Sequence, residues 1–275
     1  MPSSFAEAEK FKIRDAKPIF VFTAEQELAF LKAADRWSFG IHATLALTGA
    51  RRGELVHLLI EELDLNQGWW QIRSKAELGW ATKTNRDRRV PLIPELVALL
   101  RQLIGNRKHG PVFLRAKLAQ AHPRLMGNRA ALAQAAEAQL AQERKRLGRS
   151  LSRREEAAIH ALIWKEAGAV DPNRIRSSFI RTAKAAGIPG ATCVKNWQHT
   201  FATLLQQANV DVLVRQQTLG HQSGNSEASA LGMTGVYTHT TPEFQRQEIE
   251  RALRLRPQCL QWLHAVIARR QGEDH

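Results

Sequence analysis

Thr48-Gly49-Ala50-Arg51-Arg52-Gly53-Glu54 joins two apolar runs of the chain. Upstream, residues 38–48 have the spacing of an apolar helix that ends at Gly49, a residue suited to a tight break. Downstream, residues 51–59 resume helical spacing, with Leu55, Leu58 and Leu59 on one side. Arg51 and Glu54 lie three positions apart and so share a helical face. Exposed ion pairs give the same spacing. Here the glycine before the pair and the apolar run after it place the pair at a junction. A guanidinium held there offers a planar fork that can take two oxygens of one phosphate.

The composition agrees with an anionic partner. The chain has 275 residues, with 40 Lys and Arg against 26 Asp and Glu, a formal charge of +14 and a pI near 10.5. At 44% hydrophobic residues, such an excess favours a polyanion, nucleic acid ahead of an anionic membrane. Cys193 and Cys259 are far apart and in no metal-ligand spacing. They read as small apolar fillers in a reducing, cytoplasmic environment, and neither a metal nor a cofactor is expected. No apolar run approaches the roughly 18 residues of a membrane span, and residues 1–20 are polar and mixed in charge, unlike a signal peptide.

Around the opening stretch the pattern is mostly helical. Thr23 with Gln26 predicts a capping box that starts a helix over 24–34. Leu63-Asp64-Leu65 and Trp69-Trp70-Gln71-Ile72 flank Asn66-Gln67-Gly68 as a hairpin. Arg88-Arg89-Val90-Pro91-Leu92 predicts a further strand, after the basic turn Lys83-Thr84-Asn85-Arg86-Asp87. A helix over 95–104 closes at Gly105. Residues 117–169, rich in Ala, Gln, Arg and Glu, read as an antiparallel pair of helices over 128–147 and 153–167. Gly148 separates them, and Ser152 with Glu155 caps the second. Further helices are expected over 173–186, 199–208 and 210–219. The last two are expected over 243–255, opened by Thr241 and Pro242, and over 258–270 beyond Pro257. The fold class is therefore mainly α with a small antiparallel β-sheet (α+β): a lead-in over 1–20 and one domain over 21–275, with the helical hairpin of about 117–169 inserted.

Five fragments fall in one order along the chain: the opening stretch, Thr82-Lys83-Thr84, His199-Thr200-Phe201-Ala202-Thr203, Leu219-Gly220-His221 and Tyr237-Thr238-His239. Together they resemble the catalytic domain of the tyrosine recombinase (phage integrase) family over about residues 20–255, the insertion apart. The resemblance implies site-specific recombination and integration of double-stranded DNA, as in mobile genetic elements, by cleavage and rejoining through a 3′-phosphotyrosyl link. Such chemistry needs a nucleophile, cations for the non-bridging oxygens, an acid for the departing 5′ oxygen and a base. The resemblance makes Tyr237 the nucleophile; it is the sole tyrosine of the chain. It makes Arg51 the first phosphate-binding arginine, buttressed by Glu54. Lys83 becomes the hairpin lysine that acts as acid, preferred by position over Lys75, and His221 a hydrogen-bond donor to the phosphate. Arg52, Arg86, Arg88 and Arg89 are expected to contact DNA.

The second box departs from the family pattern His-x-x-Arg-His-Thr-Phe-Ala-Thr. This chain reads Lys195-Asn196-Trp197-Gln198-His199. Lys195 is a familiar variant that can still meet the phosphate. Gln198 keeps two amide donors but loses the arginine's charge, and His199 is expected to be structural or to support its neighbours. Removing one preorganised donor from a transition state costs about 10²–10³ in rate. Arg174, Arg176 and Arg181 are candidate substitutes. The gap from His221 to Tyr237 is longer than usual in the family, and with the first box at Thr48 no room is expected for the family's separate N-terminal domain. The implied assembly is a multimer on DNA and a monomer free of it. A catalytically silent DNA-binding protein that regulates an active relative is the alternative, and a protein-interaction module built on the insertion is a third.

Overall fold

A computed structural model describes residues 19–118, 123–125, 127–220 and 240–273. His221, Tyr237 and the box around the tyrosine lie outside the described residues. Helix α1 (Ala24–Ala33) begins with the expected capping box, the Thr23 side chain accepting from the Gln26 amide and the Gln26 side chain accepting from that of Thr23. Asp35 caps α2 (Arg36–Thr48), which is buried continuously from Ser38 onward. Two of its threonines are satisfied locally: the Thr44 hydroxyl donates to the Gly40 carbonyl and that of Thr48 to the Thr44 carbonyl. The helix stops at Gly49, whose φ of 61° is left-handed. A Cβ there would meet the Phe201 ring at 2.4 Å, so the position excludes larger residues twice over.

The helical spacing over 51–59 forms only α3 (Arg52–Val56). It ends early because the following backbone pairs elsewhere: the Leu58 carbonyl accepts from Val112 and the Ile60 amide donates to Gly110. A 3₁₀ turn over Ile60–Glu62 leads into β1 (Leu63–Asp64). With β2 (Trp69–Ile72) and β3 (Arg88–Pro91) it forms an antiparallel sheet of order β1-β2-β3, in which Trp70 faces Val90 and Ile72 faces Arg88. Then come α4 (Pro94–Ile104), α5 (Arg129–Leu147) and α6 (Arg153–Glu166). Next are α7 (Pro172–Ala185), α8 (Lys195–Gln207) and α9 (Val212–Leu219). After the undescribed stretch follow α10 (Pro242–Leu253) and α11 (Pro257–Glu273). Helix α8 starts four residues before the expected His199. Pro257 opens the last helix, where a missing N–H costs nothing.

The main core gathers side chains from α1, α2, α4, β2, β3, α7, α8, α10 and α11. At its centre Phe22 stacks on Trp197 at 4.3 Å, with Phe30, Phe179 and His42 around them. Burial lowers the His42 pKa to about 3. Leu260, Leu263 and Ile267 of α11 are buried in that same core, the helix lying against α1 and α4. A second, separate core joins Leu59, Leu78, Leu132, Ala136, Ile163, Trp164, Ala167 and Ala169. Cys259 is buried, as a filler should be, whereas Cys193 is exposed and fills nothing. Among the described residues, no helix is long and apolar enough to cross a membrane.

Candidate functional site

Glu54 sits one turn into α3, nearly buried, and holds the site together. Its Oε2 accepts from the Arg51 amide at 2.7 Å and its Oε1 from Arg51 Nη1 at 3.2 Å. Arg88 of β3 meets the same carboxylate with both terminal nitrogens, each at 2.7 Å. Two guanidiniums on one carboxylate leave the cluster with a net positive charge. Arg88 is 7% exposed and Arg51 21%, so Arg51 is the one turned partly to solvent. Arg88 also donates from Nε to the Thr218 carbonyl at 3.0 Å, and Arg51 Nη2 reaches the Gly220 carbonyl at 3.5 Å. The last turn of α9 is thereby tied to the α3 cluster. Gly220 has a φ of 62°, and a Cβ on it would come within 2.9 Å of the Arg88 side chain.

A cleft of about 430 Å³ opens beside this cluster, lined by Arg86, Asp87, Arg88, Arg89, Gln216, Gly220, Thr240 and Gln245 among others. Gln245 of α10 braces its floor, donating to the Thr218 hydroxyl at 2.9 Å and to the Arg89 carbonyl at 3.3 Å. The undescribed residues 221–239 leave the described chain at Gly220 and rejoin it at Thr240, both on this cleft.

The expected site residues separate into groups. Arg51, Glu54 and Arg88 come together. Arg88 does so as a partner of Glu54, a role the sequence did not suggest, while it also lines the cleft. Arg89, its neighbour in the strand, faces the other way, exposed and 5.3 Å from the Trp69 ring. Arg86 is exposed, and Arg52 is exposed with Nη1 3.5 Å from the Pro172 carbonyl. Lys83 is exposed at the tip of the long β2–β3 connection. Lys75, the other candidate, is buried at 2% exposure and bound to Glu62 at 2.7 Å. Burial pushes the Lys75 ammonium down and the Glu62 carboxyl up, each opposed by the partner's charge.

In the second box, Lys195 is exposed at the start of α8 and Gln198 is 8% exposed. The Gln198 amide nitrogen has no hydrogen-bond partner among the described residues. His199, held below its usual pKa by burial and then by the Lys195 charge, lines a second cleft with Arg215 and Gln216. Of the proposed substitutes, Arg174 and Arg181 line a third cleft with Asp35 and Asp171, and Arg181 is paired with Asp35 at 2.7 Å. The roles of Arg88 and Gln245 were missed in the sequence. For Arg88 a signal existed: in a strand it shares a face with Val90, which is buried. Nothing local marked Gln245. No group of three or more His, Cys, Asp or Glu among the described residues could hold a metal.

The chain matches the model of the phage integrase family over residues 21–243. Among solved structures it is similar to the integrase from mycobacterium phage Brujita, at 17% identity and a TM-score of 0.51 over 90% of this chain and 65% of that one. The Tn1549 transposon integrase, solved in complex with transposon right end DNA, is 20% identical with a TM-score of 0.50, covering 87% and 68%. The XerA recombinase is 23% identical with a TM-score of 0.49, covering 85% and 65%. The chain thus spans 65% of the length of the Brujita and XerA proteins. No curated protein matches it significantly.

Proposed function

Because the chain belongs to the phage integrase family, we propose that it performs site-specific recombination of double-stranded DNA by cutting and rejoining strands through Tyr237. The observation that supports this reading is the shared carboxylate of Glu54, which holds Arg51 within reach of the Gly220 carbonyl, so that the first box is tied to the start of the third beside the cleft. Arg51 binds the non-bridging oxygens of the scissile phosphate, with His221 as a further donor. The Tyr237 oxygen bonds to phosphorus, the bond to the 5′ oxygen breaks, and Lys83 gives that oxygen its proton while a base takes the tyrosine's. The energy of the broken bond is kept in the phosphotyrosyl link, so a 5′ hydroxyl can reverse the step. Arg52, Arg86, Arg89 and Lys195, all exposed, supply backbone contacts, and a multimer on DNA follows from the need to cut two duplexes. The insertion over about 117–169 is an addition to the one recombinase domain.

A specific observation favours a second reading, a silent DNA-binding protein on the same fold. Gln198 replaces a charged side chain with a buried neutral amide that has no partner among the described residues. Covalent trapping separates the two. The protein, Tyr237→Phe and Gln198→Arg are incubated with nicked duplexes drawn from DNA flanking its own coding sequence. The catalytic reading predicts a denaturation-resistant band that is lost in Tyr237→Phe and forms about 10²–10³-fold faster in Gln198→Arg. A band only in Gln198→Arg would establish the silent reading. No band in any variant would sink the catalytic one.

A further inference from the structure

We propose that the α5–α6 hairpin is a positioning element for Lys83, with Arg129 and Trp164 as its positioning residues; this rests on Lys83 being the proton donor. The connection between β2 and β3, residues 73–87, is too long to be a simple turn and makes much of its contact with these two helices. Its middle forms a 3₁₀ turn, Ala76–Leu78, closed by two backbone hydrogen bonds between Lys75 and Trp80. Leu78 enters the second core with Leu132, Ala136, Ile163 and Trp164, and the Trp164 indole donates to the Leu78 carbonyl at 3.0 Å. His57 stacks on Trp80 at 4.9 Å and meets Trp164 edge-on at 4.7 Å, closing the platform from beneath. Gly79 passes so near His160 of α6 that a Cβ would fall 2.5 Å from its ring.

From this platform a continuous chain of bonds runs to the residues on either side of the lysine. Arg129, the first residue of α5, donates to the Ser74 carbonyl at 2.9 Å and is paired with Glu77. The Ser74 hydroxyl accepts from the Thr82 amide at 3.1 Å and lies 3.2 Å from the Thr82 hydroxyl. The Ser74 amide donates to the Asp87 carboxylate, and the Thr82 hydroxyl to the Arg86 carbonyl, both at 3.2 Å. Both legs of the turn that carries Lys83 are therefore anchored to Ser74, and Ser74 to the hairpin. A lysine on a flexible loop spends most of its time away from the leaving oxygen. A lysine on an anchored turn begins near its working position, which lowers the ordering cost of the transition state.

Two measurements on the full chain test this, and only one needs catalysis. Hydrogen exchange of Arg129→Ala and Trp164→Phe should show lost protection over residues 73–87 with α8 unchanged; unaltered exchange there would overturn the proposal. In trapping, Arg129→Ala should cleave an ordinary duplex about 10²-fold more slowly, and Lys83→Ala about 10²–10⁴-fold. A duplex with sulfur in place of the 5′-bridging oxygen releases a thiolate that needs no proton. Both variants should return to the wild-type rate on it. A defect in Arg129→Ala that persists on the sulfur substrate would mean general damage and overturn the positioning role. If the wild type traps neither duplex, the catalytic reading fails, and the exchange result alone decides whether the hairpin holds the turn.

Discussion

Glu54 carries two arginines on one carboxylate, and nothing in its local sequence announces the second. The pair with Arg51 was legible because three residues is one helical turn. The pair with Arg88 joins α3 to β3 across 34 positions, a distance no local pattern encodes. Breaking a buried pair by removing one partner leaves an uncompensated charge and costs about 3–5 kcal/mol. Arg51 is partly exposed, which trims that figure. Glu54→Gln is expected to lose about 3 kcal/mol in urea unfolding at pH 7, and a loss below about 1 kcal/mol would mean that the arginines find solvent instead. Gly49→Ala faces both a left-handed φ and the Phe201 ring. It is expected to lose at least about 2 kcal/mol, whereas a surface change would sit near zero. The glycine itself was readable as a helix stop; the ring behind it was not.

Helices α1, α6 and α10 begin where their capping residues predict, and α8 does not begin where expected. Thr23, Ser152 and Thr241 each cap the helix they precede, because a side-chain oxygen meeting the first free amides is a local event. Helix α8 has Val194 at its N-cap and no side-chain cap. Its start is set by distant chain. The Asn196 side-chain Nδ2 donates to the Phe20 carbonyl at 3.0 Å, and the Thr200 hydroxyl accepts from the Phe22 backbone amide at 2.9 Å. That is why Lys195 and Gln198 fell outside the helix expected from the sequence. Thr200→Val should cost about 1–3 kcal/mol, because it strands a buried amide, and should loosen residues 19–23 in hydrogen exchange. Ser152→Ala should cost about 1 kcal/mol, confined to the hairpin. If Thr200→Val cost no more than Ser152→Ala, the pinning of α8 by the N-terminal segment would be refuted.

The whole molecule balances buried titratable groups of opposite sense. Burial raises Glu27 from 4.5 to about 7. The native state keeps a proton that the unfolded chain releases, so this contribution is present below pH 4.5 and lost as the pH rises through 7. Burial lowers His42 to about 3 and His57 to about 4, from 6.5. The unfolded rings take protons that the native rings refuse, so stability falls as the pH drops below 6.5. With Glu62 raised as well and His199 lowered, three histidines oppose two glutamates. Unfolding free energy should therefore rise from pH 5 to 6.5, and Glu27→Gln should steepen the rise by up to about 1.4 kcal/mol per pH unit; an unchanged slope would mean that the carboxyl is ionised throughout. The charge of +14 acts on another scale. With about six phosphate contacts, DNA affinity should fall about 10³-fold between 50 and 200 mM salt, and a flat response would contradict a phosphate-binding face. The sequence by itself determined the helical class, the hairpin, the caps and the residue types of the site, because these follow from periodicity, side-chain reach and local backbone chemistry. Only the tertiary structure decided that Arg88 serves Glu54, that Lys75 is occupied and that the inserted helices grip the β2–β3 connection. Those outcomes depend on which distant groups share a buried volume, and burial makes an unpaired charge too costly to leave alone.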